Sequence, residues 1–272
     1  MEIAHAQYES EDVEQAVMQF ILRLRKQVQW YTAGTITLTS ELDRGRALAM
    51  DAVDTALSVL RFFEPGSVDP DQTSFVVPLG QESRCVQVCF TLYGETPANW
   101  QEAQMSNRSM TSLMDTKFIE EMWPNGLAQI SAIVGKQNRS KYETKLIEAL
   151  TIYSRVSISP QLSDKLVYAL VALESIFLKN ASEPISKNLG ERISFLIGEN
   201  FDRRKEIVAL IDQIYGIRSQ LLHHGKQVSD DEKKVKEFLF VAWSGLHAVV
   251  TQAHRFSAID ELLTLLDDRK MA

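Results

Sequence analysis

Cysteine and histidine are scarce in this chain, which has two cysteines and five histidines among its 272 residues. Cys85 and Cys89 have no further cysteine or histidine close to them in sequence, so the usual ligand spacing of a zinc site is missing. We therefore expect neither a metal nor a cofactor. Such sparing use of cysteine is typical of the reducing cytoplasm, where we expect the protein to reside.

Basic charge and long apolar runs are also in short supply. The formal net charge is -7 and the pI is about 5.4, so any contact with RNA would depend on a local basic patch. The longest apolar stretch, "LVYALVALESIFL", is too short to span a membrane and is interrupted by Glu174. The sequence therefore predicts no membrane association.

Several common catalytic motifs are absent from the sequence. It contains no phosphate-binding glycine loop, no His-Glu-x-x-His helix and no Gly-x-Ser-x-Gly elbow. The usual nucleotide-binding and hydrolase chemistries are therefore unsupported. With 45% hydrophobic and 24% charged residues, the composition is nonetheless that of an ordinary folded protein.

The N-terminal part of the chain mixes helical and strand-like patterns. Apolar spacing predicts helices over 11–31 and 44–63. Alternating residues predict a strand at "TITLTSEL" and two more at "SFVVPLG" and "SRCVQVCFTLYG", the latter two joined as a hairpin by "GQES". These signals indicate an α+β protein overall, with a small N-terminal α+β unit over residues 1–105 whose role the sequence does not decide.

Helical periodicity dominates from residue 106 to 272, where we expect an all-α bundle as a second domain. The predicted helices lie near 115–135, 141–157, 161–180, 186–198, 202–224 and 230–267.

The helix predicted over 202–224 ends in an unusual group of polar residues. Within "IYGIRSQLLHHG", Arg218 falls on the stripe of apolar residues that includes Ile214 and Leu221. Ser219 and His223 are four residues apart and share a neighbouring face, while His224 lies one step further around the helix. A guanidinium can hold a phosphodiester, and a histidine in the last turn can act as a general acid or base. Basic residues are also common in a last helical turn simply because they complement the helix dipole, so this structural interpretation stays open.

The runs "ALVALESIFL", "NLGERISFLIG" and "IYGIRSQLLHHG" together resemble the ApeA-like branch of the HEPN superfamily. The resemblance covers about residues 140–260. It implies a HEPN-like helical domain, with Arg218 and Ser219 as the first residues of an arginine-polar-histidine motif. Both His223 and His224 satisfy the motif spacing, and His223 is preferred because it shares a face with Ser219.

This resemblance implies a metal-independent endoribonuclease that works as a homodimer, with RNA as its partner. Its catalytic residues would be Arg218, Ser219, His223 and His224. Tyr215 and Lys226 would contact RNA. Glu174 and Arg192 would support the site, and we expect Glu174 to pair with Arg192 or Arg218. The family setting implies bacterial anti-phage or stress defence, with a regulatory protein or a trigger ligand as a further partner.

Two other functional classes compete with the nuclease. One is a non-catalytic HEPN module that binds RNA, a nucleotide or a protein. The other is a helical adaptor in which Arg218 serves only to pair with Glu174. An arginine buried against a carboxylate would favour the adaptor, whereas Arg218 and His223 converging across a two-fold cleft would favour the nuclease.

Overall fold

The computed structural model describes residues 10–28, 36–37, 39–74, 76–78, 86–93, 96–104, 114–180, 182–224 and 228–271. Contacts divide the chain into two compact units, Met1–Ala49 and Met50–Ala272. The predicted domain boundary after residue 105 lies outside the described residues and stays a prediction.

The first unit contains helix α1, Ser10–Val28, and the beginning of helix α2, Leu42–Phe63. Both helices were expected from their apolar spacing. The strand predicted over 35–42 is wrong for its described residues, since 36–37 and 39–41 form no strand and Leu42 opens α2. A strand must satisfy its backbone groups through a neighbouring strand, and no strand in the described part of the chain pairs with this run.

A single two-stranded antiparallel hairpin is described, formed by β1, Val86–Tyr93, and β2, Thr96–Gln104. Strand β1 lies inside the predicted strand over 83–94. Its partner was expected at 74–80, but the described residues of that run form no strand. Their backbone is bonded instead to the helical part of the protein, with Ser74 N donating to Ser157 O at 2.6 Å and Arg61 Nε to Val76 O at 2.5 Å.

The second unit is a bundle of helices. After α2 they are α3 Thr116–Met122, α4 Ala128–Val134, α5 Lys141–Tyr153, α6 Arg155–Ile158, α7 Leu162–Phe177, α8 Ile185–Ile197, α9 Phe201–His224, α10 Glu232–Thr251 and α11 Ile259–Met271. The predicted α+β class is therefore wrong. The protein is all-α, because two strands are too few to form a β layer and the described core is made by helices.

Aromatic residues that carry a hydrogen-bond donor connect the helices in the core of the bundle. The hydroxyl oxygen of Tyr153 lies 2.9 Å from Ser67 O and 3.0 Å from Leu239 O, and its one proton is shared between these two acceptors. Trp243 on α10 donates from Nε1 to Phe62 O at 2.8 Å, and its ring stacks on Phe62. The end of α2 thus packs into the helical bundle, and the buried aromatic residues keep their polar atoms hydrogen-bonded.

The predicted last helix, 230–267, is in fact two helices, α10 and α11. A short 3-10 turn, Ala253–Arg255, follows α10, and Phe256 then adopts an extended backbone. Ser257 bonds to the Glu261 carboxylate through both its N–H and its hydroxyl, which holds the start of α11. Local capping therefore overrides the continuous helical pattern of the sequence.

Helices α8 and α9 are joined by a tight turn at Gly198. Arg204 closes the turn by donating from Nε to Gly198 O at 3.0 Å. A Cβ atom on Gly198 would lie 2.5 Å from Ser194 O and 2.6 Å from Arg204 Cγ, so there is no room for a side chain.

We expect Gly198→Ala to lower the free energy of unfolding by about 1–3 kcal/mol, because the turn must open to accept the methyl group. Urea unfolding followed by circular dichroism measures this loss. Gly216→Ala is the matched control, since a Cβ there meets no atom within 4 Å. The control is expected to gain about 0.5–1 kcal/mol from its position inside a helix. Equal stability of Gly198→Ala and the native protein would contradict the prediction.

Candidate functional site

Helix α9 carries the candidate motif and is held by its apolar stripe. Ile207, Leu210, Ile211 and Ile214 are buried in the core of the same chain. This stripe therefore lies inside the bundle, and the residues of α9 open to another molecule lie elsewhere around the helix.

Arg218 forms a compact polar network with two residues of α7 and α9. Its Nη1 donates to Glu174 Oε1 at 3.0 Å, and the hydroxyl of Tyr215 donates to the same oxygen at 2.7 Å. The guanidinium also lies over the Tyr215 ring, with 5.9 Å between Cζ and the ring centroid. Of the two arginines expected as partners for Glu174, the structure thus contains the pair with Arg218.

The ion pair satisfies only part of the Arg218 guanidinium. The side chain is 27% exposed, so it is neither fully buried nor free in solvent. Its Nε is buried, and among the described residues it has no hydrogen-bond partner. An unsatisfied buried donor destabilises the folded state, and it is retained most readily where the group has a functional role.

Burial and the hydrogen bond to Glu174 both raise the pKa of Tyr215 well above its ordinary value. The hydroxyl therefore stays protonated and acts as a donor at any physiological pH. Glu174 in turn accepts from a tyrosine and an arginine at one oxygen, which fixes the carboxylate between α7 and α9. Tyr215 was predicted to contact RNA, and in the free protein its hydroxyl is already bonded.

Ser219 and His223 lie on a different side of α9 from Arg218. Both are exposed, and successive helical residues are about 100° apart, so His223 lies roughly 140° around the helix from Arg218. Leu222, beside them, is 61% exposed, and Gly216 opens onto empty space. Within one chain the arginine and this histidine therefore do not converge.

The two remaining predicted residues are His224 and Lys226. His224 is the last residue of α9. Lys226, predicted to contact RNA, lies outside the described residues.

Arg192 belongs to a separate ionic cluster. It is 2% exposed and pairs with Glu183 at 2.8 Å and Asp267 at 2.9 Å, and its Nη1 also donates to Phe177 O at 2.6 Å. The expected alternative of a pair between Arg192 and Glu174 is therefore not the one formed. Glu183 and Asp267 were not recognised in the sequence, because neither lies at a helical spacing from Arg192.

No known protein family, curated protein or solved structure matches this chain. Within the described residues, no group of three or more histidine, cysteine, aspartate or glutamate side chains is placed to hold a metal ion. The helices that the structure describes include none that is both long and apolar enough to cross a membrane.

Proposed function

We propose that the protein is a metal-independent endoribonuclease whose active site is formed by the C-terminal halves of α9 from two copies. The observation that supports this proposal is that Arg218 is held in place while only part of its guanidinium is hydrogen-bonded to described residues. Glu174 and Tyr215 hold it in place, yet Glu174 takes only one of its N–H groups. The exposed Ser219 and His223 follow within two turns.

In the proposed reaction the ribose 2′-oxygen attacks the adjacent phosphorus and the bond from phosphorus to the 5′-oxygen breaks. A histidine accepts the proton of the 2′-hydroxyl and, as the imidazolium, gives a proton to the leaving 5′-oxygen. The products are a 2′,3′-cyclic phosphate and a free 5′-hydroxyl. Arg218 stabilises the negative charge that builds on the phosphate oxygens, and Ser219 donates a hydrogen bond to the same group.

A dimer resolves the separation of Arg218 and His223 around the helix. In the proposed arrangement, the two-fold axis brings the arginine of one copy to the histidine of the other. The exposed Leu222 supplies an apolar contact beside the cleft, and Gly216 permits close approach of the second helix. We propose further that the protein acts in the cytoplasm, in bacterial defence or stress response. A trigger ligand or a regulatory protein would control its activity.

The test is cleavage of a mixed RNA pool in the presence of EDTA. We expect the native protein to leave 2′,3′-cyclic ends. Arg218→Ala and the double variant His223→Ala/His224→Ala are each expected to lose at least about 100-fold in rate. Arg203→Ala is the control, because this arginine is at the far end of α9 and pairs with Glu206. Circular dichroism must show equal folding of all variants.

Mixing the two inactive variants tests whether the site is shared. A mixed dimer would hold one intact site, so we expect about a quarter of the native activity to return on random exchange. If the native protein cleaves RNA but the mixed variants regain no activity, the protein is a nuclease whose site is not shared between two copies. No cleavage by a folded native dimer would overturn the nuclease proposal.

The second candidate is a helical adaptor, and the ion pair between Arg218 and Glu174 at 3.0 Å is the observation that favours it. In that case the network only joins α7 to α9. A folded native protein that neither cuts nor retains RNA in a gel-shift experiment would support the adaptor, whereas RNA that is retained but never cut would support a non-catalytic module that binds RNA.

A further inference from the structure

A groove lies away from the motif, between α8 and the N-terminal half of α9. Its volume is about 770 Å³. The floor is apolar and includes Ile185, Phe195, Phe201, Val208 and Ala209. Phe201 is 68% exposed, so its ring is open to a ligand. The volume lies within the range of small-molecule sites, about 300–1,000 Å³.

Three cations stand around this apolar floor. Lys187 comes from α8, and Arg204 and Lys205 come from α9. Arg204 lies over the Phe195 ring at 4.7 Å and Lys205 over the Phe201 ring at 4.4 Å. In the part of the chain that the structure describes, none of the three cations has a carboxylate partner.

Two carboxylates also line the groove. Glu191 pairs with Lys270 at 3.1 Å, and Asp212 accepts a hydrogen bond from the neutral hydroxyl of Ser186 at 3.0 Å. Three positive and two negative side chains thus line the groove, and neither carboxylate forms an ion pair with one of its three cations in the described part of the chain. Positive charge gathered at an apolar cleft attracts an anion, and its effect is stronger there than on an open surface.

We propose that the groove between α8 and α9 binds a small amphipathic anion, with an apolar or aromatic body on the floor and an anionic head among the three cations. The apolar floor supplies the area to be buried and the cations supply the recognition of the head. The turn at Gly198 holds the first turn of α9 against the end of α8, so the two walls of the groove are fixed relative to each other.

The anionic fluorophore 8-anilinonaphthalene-1-sulfonate is a suitable probe because it has an aromatic body and a sulfonate head. We expect its fluorescence to rise in a saturable titration with one site per chain, and decanoate to displace it. Decanol, which has the same chain without the charge, is expected to displace it at least about tenfold less well. Equal displacement by decanol would overturn the role of the cations.

Two variants locate the binding. Lys187→Ala/Lys205→Ala is expected to weaken binding at least about tenfold, and Val208→Asp to abolish it by placing a carboxylate in the floor. Lys141→Ala/Lys233→Ala is the control, since these exposed lysines lie outside the groove, and it should bind as the native protein does. Binding that both groove variants leave unchanged, or no saturable binding at all, would overturn the proposal. The titration contains no RNA, so its result is independent of the nuclease test.

Discussion

Replacing Arg192 by methionine is expected to lower the free energy of unfolding by about 3–5 kcal/mol, because Glu183 and Asp267 both lose their buried partner and Asp267 keeps only its more exposed pairs with two lysines. Arg192 donates from Nε and Nη2 to Asp267 and from Nη1 and Nη2 to Glu183, with distances of 2.8–3.1 Å. Methionine keeps much of the volume of the side chain but none of its donors. Urea unfolding at neutral pH measures the loss.

The same cluster predicts a dependence on pH. The Arg192 guanidinium holds the pKa of Asp267 well below its ordinary value of 3.8, and it lowers the pKa of Glu183 as well. A carboxylate whose pKa is lower in the folded state stabilises the protein fully above the unfolded pKa and loses that effect as the pH falls. The native protein should therefore lose stability below about pH 4, and Arg192→Met should lose less over the same range.

Arg203→Met is the matched control for this variant. Arg203 also pairs with carboxylates, Glu206 at 2.8 Å and Glu237 at 3.7 Å, but its side chain is 35% exposed. A pair open to solvent contributes about 0–1 kcal/mol, so the control should lose no more than that. Equal losses in the two variants would show that burial does not set the value of the Arg192 cluster.

The second large effect concerns Glu64, which follows α2 and is buried. Burial raises the pKa of Glu64 to about 7 from its ordinary value of 4.5, although a hydrogen bond from Ser74 and the charge of Arg61 act in the opposite direction. One of its oxygens, Oε2, is buried, and no described residue bonds to it. The charged form of this carboxylate is therefore poorly accommodated.

The sign of the pH effect is opposite to that of Asp267. Between about pH 4.5 and 7 the folded state keeps a proton on Glu64 that the unfolded state has released. Stability should therefore fall as the pH rises through this window, by roughly 3 kcal/mol from this residue alone. Glu64→Gln cannot ionise, so we expect this slope to disappear and the variant to be more stable than the native protein at pH 8.

Unfolding in urea at a series of pH values from 4 to 8 measures this effect. Glu199→Gln is the control, because Glu199 is an exposed carboxylate in the turn before α9. It should keep the native dependence on pH. A Glu64→Gln variant with the native slope would show that Glu64 ionises normally in the folded protein.

Helices were largely predictable from the sequence because their signal is local. The helix predicted over 202–224 is Phe201–His224, and the one predicted over 186–198 is Ile185–Ile197. The strands were less predictable, because a strand depends on the run it pairs with: β1 lies inside its predicted run, but its partner was expected at 74–80 and is 96–104. The run at 96–104, "TPANWQEAQ", has few residues that favour strands, and it pairs with β1 all the same.

In the candidate site, too, the features that depend on local spacing were predictable and those that depend on helix packing were not. The position of Arg218 on the buried side of α9 follows from spacing, and the sequence reduced the partners of Glu174 to two arginines. The choice between them depends on how α7 packs against α8 and α9, which periodicity does not encode. Arg192 pairs with Glu183 and Asp267 instead, and Asp267 lies 75 residues further along the chain.

The 75 residues between Arg192 and Asp267 also affect the order in which the bundle forms during synthesis. A nascent chain emerges from its N-terminal end, so α7, α8 and α9 leave the ribosome before Asp267 has been synthesised. Until then Arg192 has Glu183 but lacks its second carboxylate, and the apolar side chains beneath α11 have no cover. The bundle is therefore completed only after α11 has followed the other helices out of the ribosome, and the Arg192 cluster is among the last contacts to form.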